Sequence, residues 1–205
     1  GGGSTIGLGK AISIRTGLPQ IVVPTTYAGS EVTPILGETK EGRKIARKDP
    51  KVLPGTVIYD VDRTMSLPLA MTITSGLNAL AHAIEALYAA NRNPISDLMA
   101  ASGAQSMIPA LRRLSETPDD IKARADALYA AWMCGAVLGQ VDMGLHHKLC
   151  HTLGGSFDLP HAETHSVILP HATAFLEPVV KDRLAFLKPL LGEDIGRGLF
   201  KLNEE

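Results

Sequence analysis

The stretch Ala127–Gly139, ALYAAWMCGAVLG, runs for 13 residues without a charge, between Asp126 and Gln140. A bilayer span takes about 20 apolar residues, so this segment is too short for one and reads as a helix buried in a protein core. A chain of 205 residues with 45% hydrophobic content can build that core. The flanking sequence has the matching pattern. From Leu67 onward, LPLAMTITSGLNALAHAIEALYAA repeats apolar residues at helical spacing, and Pro68 suits a first turn. Pro94 opens a second helical run, NPISDLMAASGAQSMIPALRRL, and DDIKARADALYAAWMCGAVLGQ is a third with an acidic start. GLHHKLCHTLGG reads as a short helix closed by its Gly-Gly pair, with helical spacing resuming in LPHAETHSVILPHATAFLEPVV.

The N-terminal third is punctuated differently. QIVVPTT (Gln20–Thr26) and TVIYDVD (Thr56–Asp62) are compact apolar runs, the pattern of short strands in a sheet covered on both faces. Between them, LGETKEGRKIARKDPKVLPG reads as a hairpin or long loop. The fold class is therefore α/β plus all-α, with an α/β part over residues 1–66 and a helical part over 67–205.

Formal net charge is -1 and no Lys/Arg block occurs, which removes the electrostatic reason for a nucleic-acid or anionic-membrane partner. Cys134 and Cys150 form no CxxC or paired framework, so a reducing, cytoplasmic setting is expected. No basic segment followed by an apolar one opens the chain, and a soluble protein is expected.

Chemistry enters at two polar turns. GGGSTIGLGKAIS sets glycines and a serine before a helix-compatible stretch, where backbone N–H groups and the helix dipole suit a phosphate. It matches neither GxGxxG nor the Walker pattern, and a structural turn or linker remains the alternative, with Lys10 as a surface helix residue. PTTYAGSE (Pro24–Glu31) follows an apolar run at the strand end where open α/β sheets bind ligands. There Thr25, Thr26 and Ser30 can donate hydroxyls to a ribose or phosphate, or can form an ordinary Ser/Thr turn.

The second signal is imidazole. Five of the seven histidines fall within Gly144–His165. Asn78 and His82 stand four apart on one helix face, and so do His147 and His151. A Gly-Gly break and a turn at Pro160 can return His161 toward the same place. Converging imidazoles from separate segments suit a first-row metal, yet neither a zinc-finger spacing nor HExxH is present.

The four stretches GGGSTIGLGKAIS, PTTYAGSEVTPILGETKEGRK, SGLNALAHAIEALYA and GLHHKLCHTLGGSFDLPHAETHSVILPH resemble, in order, the motifs of the iron-containing (group III) alcohol dehydrogenase family. The resemblance implies a partial dinucleotide-binding, Rossmann-like domain followed by a helical domain, a dehydroquinate synthase-like architecture with the active site in the cleft between them. It implies NAD(P)H as cofactor, with Gly2, Gly3 and Ser4 at the pyrophosphate, Thr25, Thr26 and Ser30 lining the cleft, and Lys44 near the nicotinamide ribose. The family's metal ligands, an aspartate and three histidines, fall on Asn78, His82, His147 and His161, and His151 matches a further active-site histidine.

Asn78 departs from the metal-dependent pattern, because an amide supplies an oxygen without charge and weakens affinity for Fe²⁺ or Zn²⁺. One branch of the family resembles this chain in that asparagine, and its substrate is a keto-dicarboxylate. The resemblance thus implies a reductase that does not require a metal, in which a protonated histidine among His82, His147, His151 and His161 hydrogen-bonds the ketone oxygen as hydride arrives. The remaining histidines, with His146, would attract the dicarboxylate substrate. A metal-dependent dehydrogenase of another small alcohol or aldehyde and a catalytically silent fragment are the alternatives. The resemblance also implies an internal segment of a longer chain, and a homodimer is expected.

Overall fold

The computed structural model describes residues 1–40 and 43–204, the side chains of residues 39–44 excepted. Helix α1 (Gly3–Thr16) starts at Gly2 and closes on Gly17, whose φ of 74° needs the absence of a side chain. Two small sheets follow. Strands β1 (Ile21–Val22) and β4 (Thr56–Val57) pair in parallel, Ile21 with Thr56 and Val22 with Val57. Strands β2 (Ile35–Lys40) and β3 (Arg43–Lys48) form the antiparallel hairpin that the polar stretch allowed.

The remainder is helical: α2 (Leu69–Ala86), α3 (Pro94–Glu116), α4 (Ile121–Gln140), α5 (Leu145–Phe157), α6 (His161–Leu184), the single turn α7 (Lys188–Leu191) and α8 (Ile195–Glu204). The core lies where α2, α3 and α4 meet, through Leu77, Leu80 and Ile84, Met107, Ile108, Leu111 and Leu114, and Ala127, Ala130 and Cys134. Helix α4 is the buried helix that its uncharged run demanded. Among the described residues no helix is long and apolar enough to cross a membrane.

Two expectations need correction. The apolar runs are not strands buried on both faces: pairing is limited to two residues in each, and Ile21 and Ile58 are 69% and 51% exposed. Gly154 and Gly155 do not end α5 either. The helix continues to Phe157, and the chain turns instead at Asp158, which takes a left-handed φ of 51°. Pro160 then starts α6, so His161 stands in its first turn.

Three contacts set the N-terminal turns over the helices. The buried Arg124 guanidinium donates to the carbonyls of Thr64 (2.6 Å), Leu67 (3.3 Å) and Pro118 (2.9 Å), tying α4 to the approach to α2. Tyr27 N–H donates to Ser75 Oγ of α2 at 3.2 Å. Gly29 passes so close to Gly135 of α4 that a Cβ on Gly135 would stand 2.2 Å from the Gly29 oxygen.

Candidate active site

These contacts hold the PTTYAGSE turn opposite the N-terminus of α1, and one cleft of about 1170 Å³ runs between the turns and the helices. Gly3, Ser4, Thr26 and Ser30 line it on one side; Asn78, His82, His147, His151 and His161 line it on the other. Gly2 and Thr25 support the turn without lining the cleft: Gly2 caps α1, and Thr25 N–H donates to the Gly1 carbonyl at 3.2 Å. The Lys44 side chain lies outside the described residues. Lys148, beside His147 on α5, adds an exposed cation to the cleft wall.

The glycine turn has the properties of an anion site. It opens a helix of 14 residues whose first turn holds no acidic residue, and a Cβ on Gly3 would meet nothing within 4 Å. The unpaired N–H groups there can approach a phosphate. Lys10 is not on the surface. Its ammonium is fully buried and donates to the carbonyls of Ser30 (2.6 Å), Thr33 (2.8 Å) and Ile35 (2.9 Å), which binds α1 to the second turn. Burial lowers this amine to about 8, against the pull of nearby Glu31.

Across the cleft, His82 Nδ1 lies 2.9 Å from His147 Nε2. Behind them, His146 Nε2 lies 2.9 Å from His165 Nδ1, and Cys150 Sγ sits 3.7 Å from His146 Nε2. The His165 ring is the hub, with centroids 4.4 Å from His161, 4.8 Å from His146 and His147, 6.3 Å from His82 and 6.4 Å from His151. Sequence reasoning assigned no role to His165, although it stands four residues after His161 on α6, the spacing already used for the other pairs.

Glu85 was also missed. It is buried on α2, three residues past His82, and its carboxylate receives the backbone N–H groups of His146 (2.8 Å) and His147 (3.2 Å) and meets His147 Nδ1. No local sequence signal marked it, because its partners lie about sixty residues away on α5.

Burial, followed by repulsion from neighbouring imidazoles, governs protonation. His146 and His147 are lowered to about 3, and His82 and His165 are pushed well below the usual histidine range. Burial raises Glu85, partly offset by the α5 N–H groups and His146. The inner imidazoles are thus neutral donors and acceptors, whereas His151 and His161 are exposed to solvent at the cleft.

The four positions Asn78, His82, His147 and His161 suit a ferrous ion poorly. They carry no formal charge, and the facing nitrogens of His82 and His147 engage each other. Among the described residues, the three-residue group whose ring nitrogens lie within 4.8 Å of one another is instead His146, His147 and His165. Asn78 Oδ1, on the cleft wall, and His165 Nε2, behind it, are both buried without a hydrogen-bond partner among the described residues.

The description "Fe-containing alcohol dehydrogenase family, C-terminal" matches residues 72–204, and "Iron-containing alcohol dehydrogenase" matches residues 1–61. The chain is 60% identical over 200 residues to maleylacetate reductase of Rhizobium sp. (strain MTP-10005), covering 98% of this chain and 57% of that protein. It is 57% identical to maleylacetate reductase of Burkholderia cepacia, covering 100% of this chain and 58% of that one. A crystal structure of maleylacetate reductase from Agrobacterium tumefaciens superposes with a TM-score of 0.95 at 59% identity, over 99% of this chain and 58% of that chain. The chain spans less than three fifths of the length of these relatives.

Proposed function

The chain belongs to the iron-containing alcohol dehydrogenase family, and from that premise we propose that it serves an NAD(P)H-dependent reduction of maleylacetate to 3-oxoadipate. The observation that carries this reading is the single cleft with a phosphate-suited turn on one wall and the imidazole cluster on the other. Residues 1–66 would supply the cofactor side and 67–205 the reacting side. The buried thiols of Cys134 and Cys150, both free and raised to about 12, suit the cytoplasm. A homodimer is part of the same proposal.

The two compounds differ by one carbon–carbon double bond, conjugated to a ketone that the product retains. Gly3, Ser4, Thr26 and Ser30 would hold NAD(P)H, which would supply a hydride to the alkene carbon β to that ketone. Negative charge then develops on the ketone oxygen as an enolate, and the chain must stabilise it. Preorganised N–H donors in a dry pocket do this without a net positive charge. His82 and His147 are held neutral, so they fit the role of orienting groups rather than acids. His151 and His161, open to solvent, are the groups that can take up a proton and deliver it to the enolate. Lys148 is placed to attract a substrate carboxylate.

The donor set argues against dependence on iron, because Asn78 replaces the only charged ligand of the family pattern. The test is NAD(P)H oxidation in the presence of maleylacetate, before and after EDTA treatment. Undiminished activity is expected. Activity lost to EDTA and restored by Fe²⁺ or Zn²⁺ would overturn the metal-free reading, and no oxidation at all would overturn the reductase reading.

A further inference from the structure

Both ring nitrogens of His147 are occupied, and the two partners come from one helix. Nε2 faces His82 Nδ1 at 2.9 Å, and Nδ1 meets Glu85 Oε2. His82 and Glu85 are three residues apart on α2, so one turn of that helix grips the imidazole from both sides.

The remaining partners of Glu85 are all donors. Oε1 accepts His146 N–H at 2.8 Å, Oε2 accepts His147 N–H at 3.2 Å, and the Gly144 backbone and the Tyr88 hydroxyl also hydrogen-bond this carboxylate. The approach depends on Gly144, the residue that caps α5, where a Cβ would come 3.0 Å from Glu85 Oε1. The carboxylate therefore occupies the anion position at the N-terminus of a 13-residue helix. A carboxylate so surrounded is an acceptor, and an acceptor requires the facing ring nitrogen to carry the hydrogen.

We propose that Glu85 is a positioning residue that locks His147 as its Nδ1–H tautomer and aims the Nε2 lone pair at His82. Nε2 faces His82 Nδ1 at 2.9 Å, and the pair presents a fixed orientation to the cleft. A carboxylate orienting an active-site imidazole from behind generally governs that ring's basicity and direction. The opposite register, with His147 protonated at Nε2 and donating to His82 Nδ1, would set a bare Nδ1 lone pair against the carboxylate. The tautomer stands on this geometry alone, whereas its catalytic consequence rests on the reductase reading above.

The test is a long-range ¹H–¹⁵N correlation spectrum of the protein labelled with ¹⁵N-histidine, with the His147 signals identified by their loss in His147→Gln. The expected wild-type spectrum at neutral pH shows protonated Nδ1 and bare Nε2 at His147. In Glu85→Gln one amide oxygen cannot satisfy the backbone donors and the ring together, so the Nδ1–H signature is lost. Glu85→Asp keeps a carboxylate and recovers it. On maleylacetate, Glu85→Gln lowers kcat by about 10–100-fold with little change in KM. A wild-type His147 protonated at Nε2 would overturn the proposal, and this needs no variant to fold. An unchanged tautomer in a folded Glu85→Gln protein would overturn it as well. The expected tautomers in a protein inactive toward maleylacetate would uphold Glu85 and overturn the reductase reading instead.

Discussion

The Lys10 ammonium donates to both the carbonyl and the hydroxyl of Thr33, at 2.8 and 2.9 Å, and so fixes the glycine-turn helix to the second polar turn. Two further carbonyls, of Ser30 and Ile35, complete its shell. Replacement by methionine keeps most of the apolar stem but leaves buried carbonyls without a donor. Lys10→Met is therefore expected to cost about 1–3 kcal/mol of stability. It should also weaken NAD(P)H binding, because α1 would no longer be held against Ser30. Thermal unfolding and a fluorescence titration with NADH measure the two effects, and a stable variant with unaltered affinity contradicts the assignment.

A second prediction concerns the approach of Gly29 to Gly135. A methyl group at Gly135 would collide with backbone, at 2.2 Å from an oxygen and 2.8 Å from a carbon, and neither can rotate away. Gly135→Ala is expected to lower stability by about 1–3 kcal/mol through overpacking and to push the PTTYAGSE turn off α4. Reduced cofactor affinity should accompany the lower melting temperature. Gly3→Ala at the cleft, where the backbone has room, should leave the melting temperature unchanged.

What could be read from the sequence divides by range. Helix α2 was legible because its periodicity is local and Pro68 marks its start; the pairs Asn78/His82 and His147/His151 were legible because helical spacing alone puts each pair on one face. His165 was legible by the same rule from His161. The end of α5 was misread because a Gly-Gly pair lowers helix propensity by only about 1 kcal/mol per residue, less than tertiary contacts with α6 can supply. Lys10 and Glu85 were not legible: each looks like an ordinary helix charge, and its burial is imposed by segments 20 to 62 residues away. Long-range polar pairing of this kind leaves no local pattern.

Acidification should destabilise the fold. The folded protein lowers His82, His146, His147 and His165 below the unfolded value of 6.5, with His146 and His147 reaching about 3. The unfolded chain then binds more protons, so stability is complete above 6.5 and is lost progressively as pH falls toward 3. Glu31 and Glu85 are raised and act in the opposite sense, adding stability below their unfolded value of 4.5 that is lost as pH rises through their folded values. Four imidazoles against two carboxyls leave a net loss on the acid side. The melting temperature should fall by roughly 4 °C or more between pH 7.5 and pH 5. Calorimetry gives the curve, and a flat profile would contradict neutral buried imidazoles.

The outer histidines can be separated from the inner ones by kinetics. If His151 or His161 delivers the proton, replacing the responsible one by alanine should lower kcat by about 10²–10⁴-fold. Substitution at a merely lining position should instead raise KM. Lys148→Ala is expected to fall in that second class, with a higher KM for a dicarboxylate and a nearly unchanged kcat. A lowered kcat for Lys148→Ala, or unchanged kcat in both histidine variants, would require reassigning the proton donor.

Asn78 gives the sharpest test of the metal question, because one substitution restores the missing charge. Its Oδ1 is already buried and unpartnered beside His82 and His147, so aspartate can present an oxygen in the same place with little change in volume. A carboxylate added to neutral imidazoles should raise affinity for Zn²⁺ or Fe²⁺ by at least about tenfold, since charge neutralisation is what an amide ligand lacks. Without metal, the buried carboxylate is unpaired and should lower the melting temperature, and saturating metal should restore it. Titration calorimetry and thermal unfolding of Asn78→Asp with and without Zn²⁺ read both outcomes. Equal metal affinity in the wild type and the variant would mean that Asn78 is not at the ligand position, and the metal-free reading would lose its chemical basis.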